Sequence, residues 1–380
     1  MKKTILILVN DLSFLISHRY DIVIAARKKG YQIKIAYGEL GNSTTKIFLN
    51  KDIECFKVFL QRNSINPLKE LLSLFSIWRI FYRLNPDLVH LITIKAYLYG
   101  GIAARFTKVP SVLSTIAGLG IFFDQKKNFN FFLQKLLYQV FHFAFNHPNQ
   151  RVIVQNLDDK KILINWGVID KKKILLFPGS GEDLSKYTKF TEPKNVTTIC
   201  FASRLLRNKG VFDYISAAKI IKKKGIKVKF LLAGSLDLGN PTSLTKKELE
   251  DIVKEKVVEV LGYQKDIPKL YAKTNIVCLP SFYGEGLPKT LIEAASAGRA
   301  IVTTDHSGCR HAIIPNKTGL LVPVKNPQKL ANALEWLIEH PKERIKMGKA
   351  GRKFAKKKFA IEKIIQGHLD TYENLLADNL

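Results

Sequence analysis

The chain has 380 residues, 46% hydrophobic and 10% aromatic, and a formal net charge of +29. That length suits two domains, each with its own core, and that apolar content excludes wholesale disorder. Apolar runs fall short of the roughly 18 residues that span a bilayer, and Cys55, Cys200, Cys278 and Cys309 lack metal-ligand spacing, so the expectation is a cytoplasmic chain without a transmembrane helix, signal peptide or structural zinc.

Along the first half, β-branched runs predict strands at Thr4–Val9, Tyr31–Ala36, Leu88–Leu91, Val112–Thr115, Arg151–Gln155 and Ile174–Phe177. Helices are predicted between them, one from about Ser17 to Lys29 with Gly30 to end it, another after Asn66-Pro67 through Leu84. Phe177-Pro178-Gly179-Ser180-Gly181 reads as a linker. The pattern restarts at Thr198–Ala202, Val228–Ala233, Val257–Leu261, Ile276–Pro280, Ala300–Thr303 and Gly319–Val322. Helical sequence follows Pro327 and Pro341, and a last amphipathic stretch covers about Ala360 to Leu376. Strands alternating with helices in this way predict an α/β protein of two doubly wound parallel sheets. Ligands are then expected beyond the carboxyl ends of the strands.

The basic excess is spread evenly, +15 over residues 1–180 and +14 over 181–380. A dedicated nucleic-acid module would concentrate it, so no nucleic-acid partner is expected; an anionic membrane surface or phosphorylated ligands fit better. No strand leads into GxGxxG, which argues against a dinucleotide-dependent oxidoreductase.

Two stretches carry chemistry. Pro280-Ser281-Phe282-Tyr283-Gly284-Glu285-Gly286-Leu287-Pro288 follows a strand and enters a helix that carries Glu293. Proline is tolerated in a first helical turn, whose N–H groups suit a diphosphate. The second is Arg204-Leu205-Leu206-Arg207-Asn208-Lys209-Gly210, at the end of the first strand of the second half. Arg204 and Lys209 there suit a diphosphate whose negative charge grows as it leaves.

Together these stretches resemble the retaining glycosyltransferases of family 4, with two glutamates separated by seven residues and a basic pair. Pro86-Asp87-Leu88-Val89-His90-Leu91, the Tyr99–Arg105 stretch, Ile116-Ala117-Gly118-Leu119-Gly120, Thr303–Arg310 and Ser17-His18-Arg19 look like bacterial enzymes that extend lipid-linked, lipopolysaccharide or capsule glycans. The resemblance implies a GT-B fold of two Rossmann-like domains facing a cleft. Residues 1–178 would form an acceptor-side domain and 179–359 a nucleotide-sugar-binding domain, with the 360–380 helix available to pack back on the first.

It also implies transfer of a hexose or N-acetylhexosamine from a UDP-sugar, which is a substrate, so no cofactor and no metal is expected. Glu285, Arg204 and Lys209 would be catalytic. Glu293, Gly286, Leu287, Tyr263, Gln264, Gly118 and Gly120 would contact the nucleotide sugar, Glu293 at the ribose and the Gly262-Tyr263-Gln264 turn at the base, although that turn reads equally as a plain strand-to-helix connection. The loop after the first strand lacks the two glycines that many relatives carry, and the 116–120 loop offers backbone groups where many have a histidine. His18 and Lys95 are acceptor-side candidates, against capping or packing roles.

Eight of the chain's 23 phenylalanines fall between Ile121 and His147, with Lys126, Lys127 and Lys135. Lys69–Arg83 also mixes aromatics with cations. Both stretches fit either a peripheral helix on the inner face of the cytoplasmic membrane or a core helix with solvated lysines. A GT-B enzyme acting on a soluble acceptor, such as a sugar-phosphate synthase, phosphorylase or epimerase, is the nearest alternative.

Overall fold

In a computed structural model, the structure describes residues 2–41, 44–61, 64, 66–119, 131–188, 191–237 and 239–377, without the side chains of 131–134. Gly120, Phe122, Phe123, Lys126 and Lys127 lie outside the described residues. The chain divides into two units, Met1–Ser180 with Glu362–Leu380, and Gly181–Ile361.

The first unit runs β1 (Thr4–Asp11), α1 (Leu12–Lys28), β2 (Gln32–Glu39), α2 (Lys46–Leu49), β3 (Glu54–Lys57), α3 (Pro67–Leu84), β4 (Leu88–Ile92), α4 (Ile94–Phe106), β5 (Ser111–Ile116), α5 (Phe131–Phe145), β6 (Gln150–Val154), α6 (Leu157–Trp166) and β7 (Ile174–Leu176). Its sheet is parallel, in the order β3-β2-β1-β4-β5-β6-β7. Side chains alternate across it, as the pleat requires. Leu6 and Leu8 face the cluster built by α3, α4 and α5, and Ile5, Ile7 and Val9 face α1 and the C-terminal helix.

The second unit runs β8 (Thr197–Ala202), α7 (Val211–Lys223), β9 (Val228–Ala233), α8 (Lys246–Glu255), β10 (Glu259–Gly262), α9 (Ile267–Ala272), β11 (Ile276–Leu279), α10 (Lys289–Ser296), β12 (Ala300–Thr304), β13 (Gly319–Val322), α11 (Pro327–Glu339) and α12 (Pro341–Lys358). Its parallel sheet has the order β10-β9-β8-β11-β12-β13 around one core. The last helix, α13 (Ile361–Ala377), packs Leu369, Tyr372, Leu375 and Leu376 into the first unit's core. Its Tyr372 hydroxyl lies 2.7 Å from His90 Nδ1 on β4, and His90 Nε2 lies 2.7 Å from Thr115 Oγ1.

Two local expectations need correction, and one strand, β3, has no counterpart among the predicted elements. α1 starts at Leu12, not Ser17, because the Asp11 carboxylate accepts from Ser13 N and caps it. β3 has only four half-exposed residues and no alternation to announce it. β10 begins at Glu259, because Lys256 closes α8 in a left-handed conformation (φ 52°) and the chain needs two more residues to enter the strand.

Candidate active site

In each sheet the strand order reverses beside the first strand of its unit, between β1 and β4 and between β8 and β11. Connections leave such a pair in opposite directions and open a crevice at the carboxyl ends. In the second unit, the loop after β8 carries Arg204 and Lys209 and the loop after β11 carries Glu285. The sheet therefore brings two stretches together that lie some eighty residues apart in sequence.

Lys209 Nζ and the Glu285 carboxylate form an ion pair, each side chain only 10% exposed. Ser281 Oγ donates to the other Glu285 oxygen at 2.6 Å, and Thr304 Oγ1 donates to the Ser281 carbonyl. The Asn208 carbonyl accepts from Phe282 N (3.0 Å), which fastens one loop to the other. Glycine is needed twice here. Gly210 (φ 81°) ends the turn that presents Lys209, and a Cβ on it would stand 2.2 Å from the Pro280 carbonyl. Gly308 (φ 79°) approaches the backbone of Glu285 and Gly286 so closely that a Cβ would lie 2.6 Å and 2.7 Å from their carbonyl oxygens.

The three cations of the first loop have different partners. Arg204 Nη1 donates to Asp237 Oδ2 at 2.6 Å and remains 45% exposed. Arg207 is committed to structure, with Nη2 on both oxygens of Glu248 and Nη1 on the Ser243 carbonyl. Lys209 holds Glu285.

Pro288 is the N-cap of α10, so the helix starts one residue later than the first-turn placement read from the sequence. Thr290 Oγ1 donates to the Ala202 carbonyl at 2.6 Å and ties the helix start to the end of β8. Leu287 turns its side chain into the core and leaves its backbone at the helix entrance. Glu293 is partly buried, and that burial raises its carboxyl to about 7, with Lys289 lowering it and Glu182 raising it further. Glu182 is itself raised by burial, and Lys289 Nζ lies 3.6 Å from it. Burial likewise pushes the Cys309 thiol up to about 12.

Tyr263 and Gln264 are not drawn into this constellation. Tyr263 is 75% exposed, and Gln264 Nε2 donates back to the Leu261 carbonyl at 2.8 Å.

In the first unit, Thr93 follows β4 with φ 82° and ψ 159°, an unusual backbone for a β-branched residue. Its hydroxyl donates to Asn10 Oδ1 (2.7 Å) near the carboxyl end of β1, across the reversal. Lys95 Nζ donates to both Glu70 oxygens (2.7 and 2.9 Å) and to the Ser64 carbonyl (2.6 Å), while Tyr99 donates to Glu70 at 2.7 Å. Lys95 thus sits in a packed polar cluster. His18 lies 2.7 Å from Ser17 Oγ and stacks on Phe14, with ring centroids 4.2 Å apart. Gly118, buried after β5, has φ 113°, which a larger residue would adopt only under strain.

Sequence reasoning missed Asp237, Ser281 and Glu182. Ser281 stands two residues after β11 in a stretch already singled out, and that position could have found it. Asp237 follows the Gly234-Ser235 turn after β9, and its pairing emerges only once β9 lies beside β8. Among the described residues, no group of three or more His, Cys, Asp or Glu could hold a metal, and no helix is long and apolar enough to cross a membrane.

Residues 4–156 match the family model described as "Glycosyl transferase 4-like", and residues 185–354 match "Glycosyl transferases group 1". Among curated proteins, the chain is 29% identical to the N,N'-diacetylbacillosaminyl-diphospho-undecaprenol alpha-1,3-N-acetylgalactosaminyltransferase of Campylobacter jejuni, over 76% of this chain and 77% of that protein. It is 26% identical to the capsular polysaccharide biosynthesis glycosyltransferase CapM of Staphylococcus aureus, over 93% and 92%. It is also 26% identical to the UDP-Gal:alpha-D-GlcNAc-diphosphoundecaprenol alpha-1,3-galactosyltransferase of Escherichia coli, over 76% and 75%. Solved structures with the same fold include a glycosyltransferase from Rickettsia africae (TM-score 0.77, 20% identity, 99% of each chain). Another is Anabaena HepE in complex with UDP and glucose (TM-score 0.73, 20% identity, 97% of this chain and 99% of that one).

Proposed function

The chain belongs to the family 4-like glycosyltransferases and has the GT-B fold, and on that premise we propose that it transfers a hexose or N-acetylhexosamine from a UDP-sugar, with retention, to a hydroxyl of a lipid-linked glycan in surface polysaccharide biosynthesis. The observation that carries the reading is the convergence of Arg204, Lys209 and Glu285 on the two strand ends where the second sheet reverses.

Each residue's proposed role follows from its chemistry. Glu293 accepts from the ribose hydroxyls, since one carboxylate serves two vicinal donors. Glu285 binds donor-sugar hydroxyls while Lys209 pairs with its carboxylate. Arg204, Lys209 and the backbone of Gly286 and Leu287 at the α10 entrance take the diphosphate, without a metal ion. Tyr263 and Gln264 flank the base, and Gly118 is assigned to the sugar. His18 is assigned to the acceptor side, whereas the Lys95 ammonium is held by Glu70 and the Ser64 carbonyl.

In the reaction, the bond from the anomeric carbon to the diphosphate oxygen breaks as the acceptor oxygen bonds to that carbon on the same face. The acceptor's proton passes to the departing diphosphate. No carboxylate need act as nucleophile, and the protein supplies positioning and stabilisation of the leaving charge.

A lipid-linked acceptor implies work at the inner face of the cytoplasmic membrane. The outer side of α3 supports this. It exposes Leu68, Leu71, Leu72, Phe75 and Tyr82, which are 55–74% accessible, beside exposed Lys69, Arg79 and Arg83. A shallow groove of about 190 Å³ runs between α3 and α4, lined by Leu71, Leu74, Phe75, Trp78, Ala103 and Phe106. A soluble acceptor would leave this apolar face without use.

A panel of nucleotides and sugar nucleotides scored by thermal shift tests the donor assignment. A UDP-sugar at 100 times its Kd should stabilise the protein by about 2.7 kcal/mol. Stabilisation by a purine nucleotide sugar and none by UDP would overturn it.

A further inference from the structure

We propose that Asp237 is a positioning residue of the transfer reaction, holding the Arg204 guanidinium for the diphosphate. This rests on the glycosyltransfer reading above.

The connection after β9 is built against the Arg204 loop along its length. Ser203 N donates to the Ala233 carbonyl (3.1 Å), Leu205 N to Ser235 (3.0 Å) and Arg207 N to Thr242 (2.8 Å), while Leu244 N donates back to Leu205 (2.9 Å). Gly234 (φ 149°) passes so close that a Cβ would stand 1.8 Å from the Ser203 carbonyl. Within the connection, Asp237 N donates to Ser243 Oγ at 3.1 Å, the Asp237 carbonyl accepts from Asn240 N at 2.7 Å, and the Asn240 side chain accepts from Thr242 N and Oγ1. Asp237 is therefore the fixed member of its pair, 18% exposed against 45% for Arg204.

An arginine on a long, freely rotating stem loses preorganisation unless something holds it. Asp237 takes Nη1, and the remaining guanidinium N–H groups are available for phosphate oxygens. Asp237 thereby differs from Glu248, which engages Arg207, the cation not assigned to the donor. Because diphosphate charge grows as the sugar departs, a misaligned Arg204 should lower kcat more than it raises KM.

The test is a double-mutant cycle on the full chain, read by initial rates with a UDP-sugar and by calorimetric titration of UDP. Asp237→Ala should lower kcat about tenfold with a smaller change in donor KM, and Asp237→Asn, which keeps an oxygen for Nη1, should recover most of it. In the Arg204→Ala background, Asp237→Ala should have no further effect. Independent losses in the two backgrounds, or an Asn variant as poor as Ala, would overturn the proposal and leave Asp237 a loop staple. An Asn variant that binds UDP much more tightly at unchanged kcat would also overturn it, since the carboxylate would then only oppose the diphosphate. Unmodified protein that neither binds UDP nor transfers sugar would overturn the parent reading and this proposal together.

Discussion

Lys209 and Glu285 meet as a nearly buried ion pair that joins the loop after β8 to the loop after β11. Each charge is held by the other, and Ser281 takes up a further oxygen of the carboxylate. Removing one partner should be costly in a way that removing both is not, because a lone buried charge keeps its desolvation penalty. Lys209→Met or Glu285→Leu should each lower unfolding free energy by about 3 kcal/mol, and the double variant should recover much of it while remaining inactive. Chemical denaturation beside a transfer assay measures both. Full stability of each single variant would show that the pair is solvated and carries no structural role.

The proposed place of Glu293 at the ribose carries a pH signature. Burial raises its carboxyl to about 7 in the folded chain, above the roughly 4.3 of an unfolded glutamate. A raised acid favours the protonated form, so its stabilising contribution is complete below the unfolded value and is lost as pH rises through about 7. Ribose hydroxyls bind better to the carboxylate, so UDP affinity should move the opposite way and rise across the same interval. Glu293→Gln should flatten both profiles and weaken UDP binding at pH 8. An unchanged affinity profile in the Gln variant, followed by titration calorimetry, would remove Glu293 from the ribose.

Much of this was legible in the chain because strand-to-helix alternation and strand-end motifs are local signals. Glu285, Arg204 and Lys209 are found by their loops. The Lys209–Glu285 and Arg204–Asp237 pairs are not, because they depend on β8 lying between β9 and β11. Lys95 illustrates the converse. After a strand end it reads as a ligand-facing cation, yet its ammonium is held by Glu70, twenty-five residues earlier on a helix that packs beside α4. No sequence pattern distinguishes the two cases. β3 escaped because four residues with mixed exposure have no period.

Gly210 should tolerate no side chain. Its φ of 81° and the 2.2 Å approach of a Cβ to the Pro280 carbonyl oppose even alanine. Backbone strain of this kind costs of order 1–3 kcal/mol, and a shift of this turn would also displace Lys209. Gly210→Ala should lower both Tm and kcat. Gly225→Ala is the control, since its φ of 76° is similar but its Cβ would meet nothing within 4 Å. Equal effects of the two changes on kcat would show that the contact with Pro280 is unimportant to the site.

Divalent ions offer a separate check on the proposed chemistry. If Arg204, Lys209 and the α10 entrance neutralise the diphosphate, transfer should continue in EDTA at an unchanged rate. Activity lost in EDTA and restored by one added ion would require a different account of the leaving group.

The face of α3 makes the membrane reading measurable. Amphipathic helices that bury one side in a core normally present charge on the other, yet α3 buries Ile77, Ile80 and Phe81 and still exposes Leu68, Leu71, Phe75 and Tyr82. Its one acidic residue, Glu70, is neutralised by Lys95, so the exposed charge is cationic. Each basic residue near an anionic leaflet contributes about 1 kcal/mol, and the apolar side chains add contact with the acyl region. The unmodified protein should therefore sediment with anionic vesicles, less so as salt rises, because exposed charges are screened over about 10 Å at 0.1 M. Leu71→Ser with Phe75→Ser should reduce that binding and leave UDP affinity unchanged. Protein that ignores anionic vesicles even at low salt would shift the acceptor from a lipid-linked glycan to a soluble one.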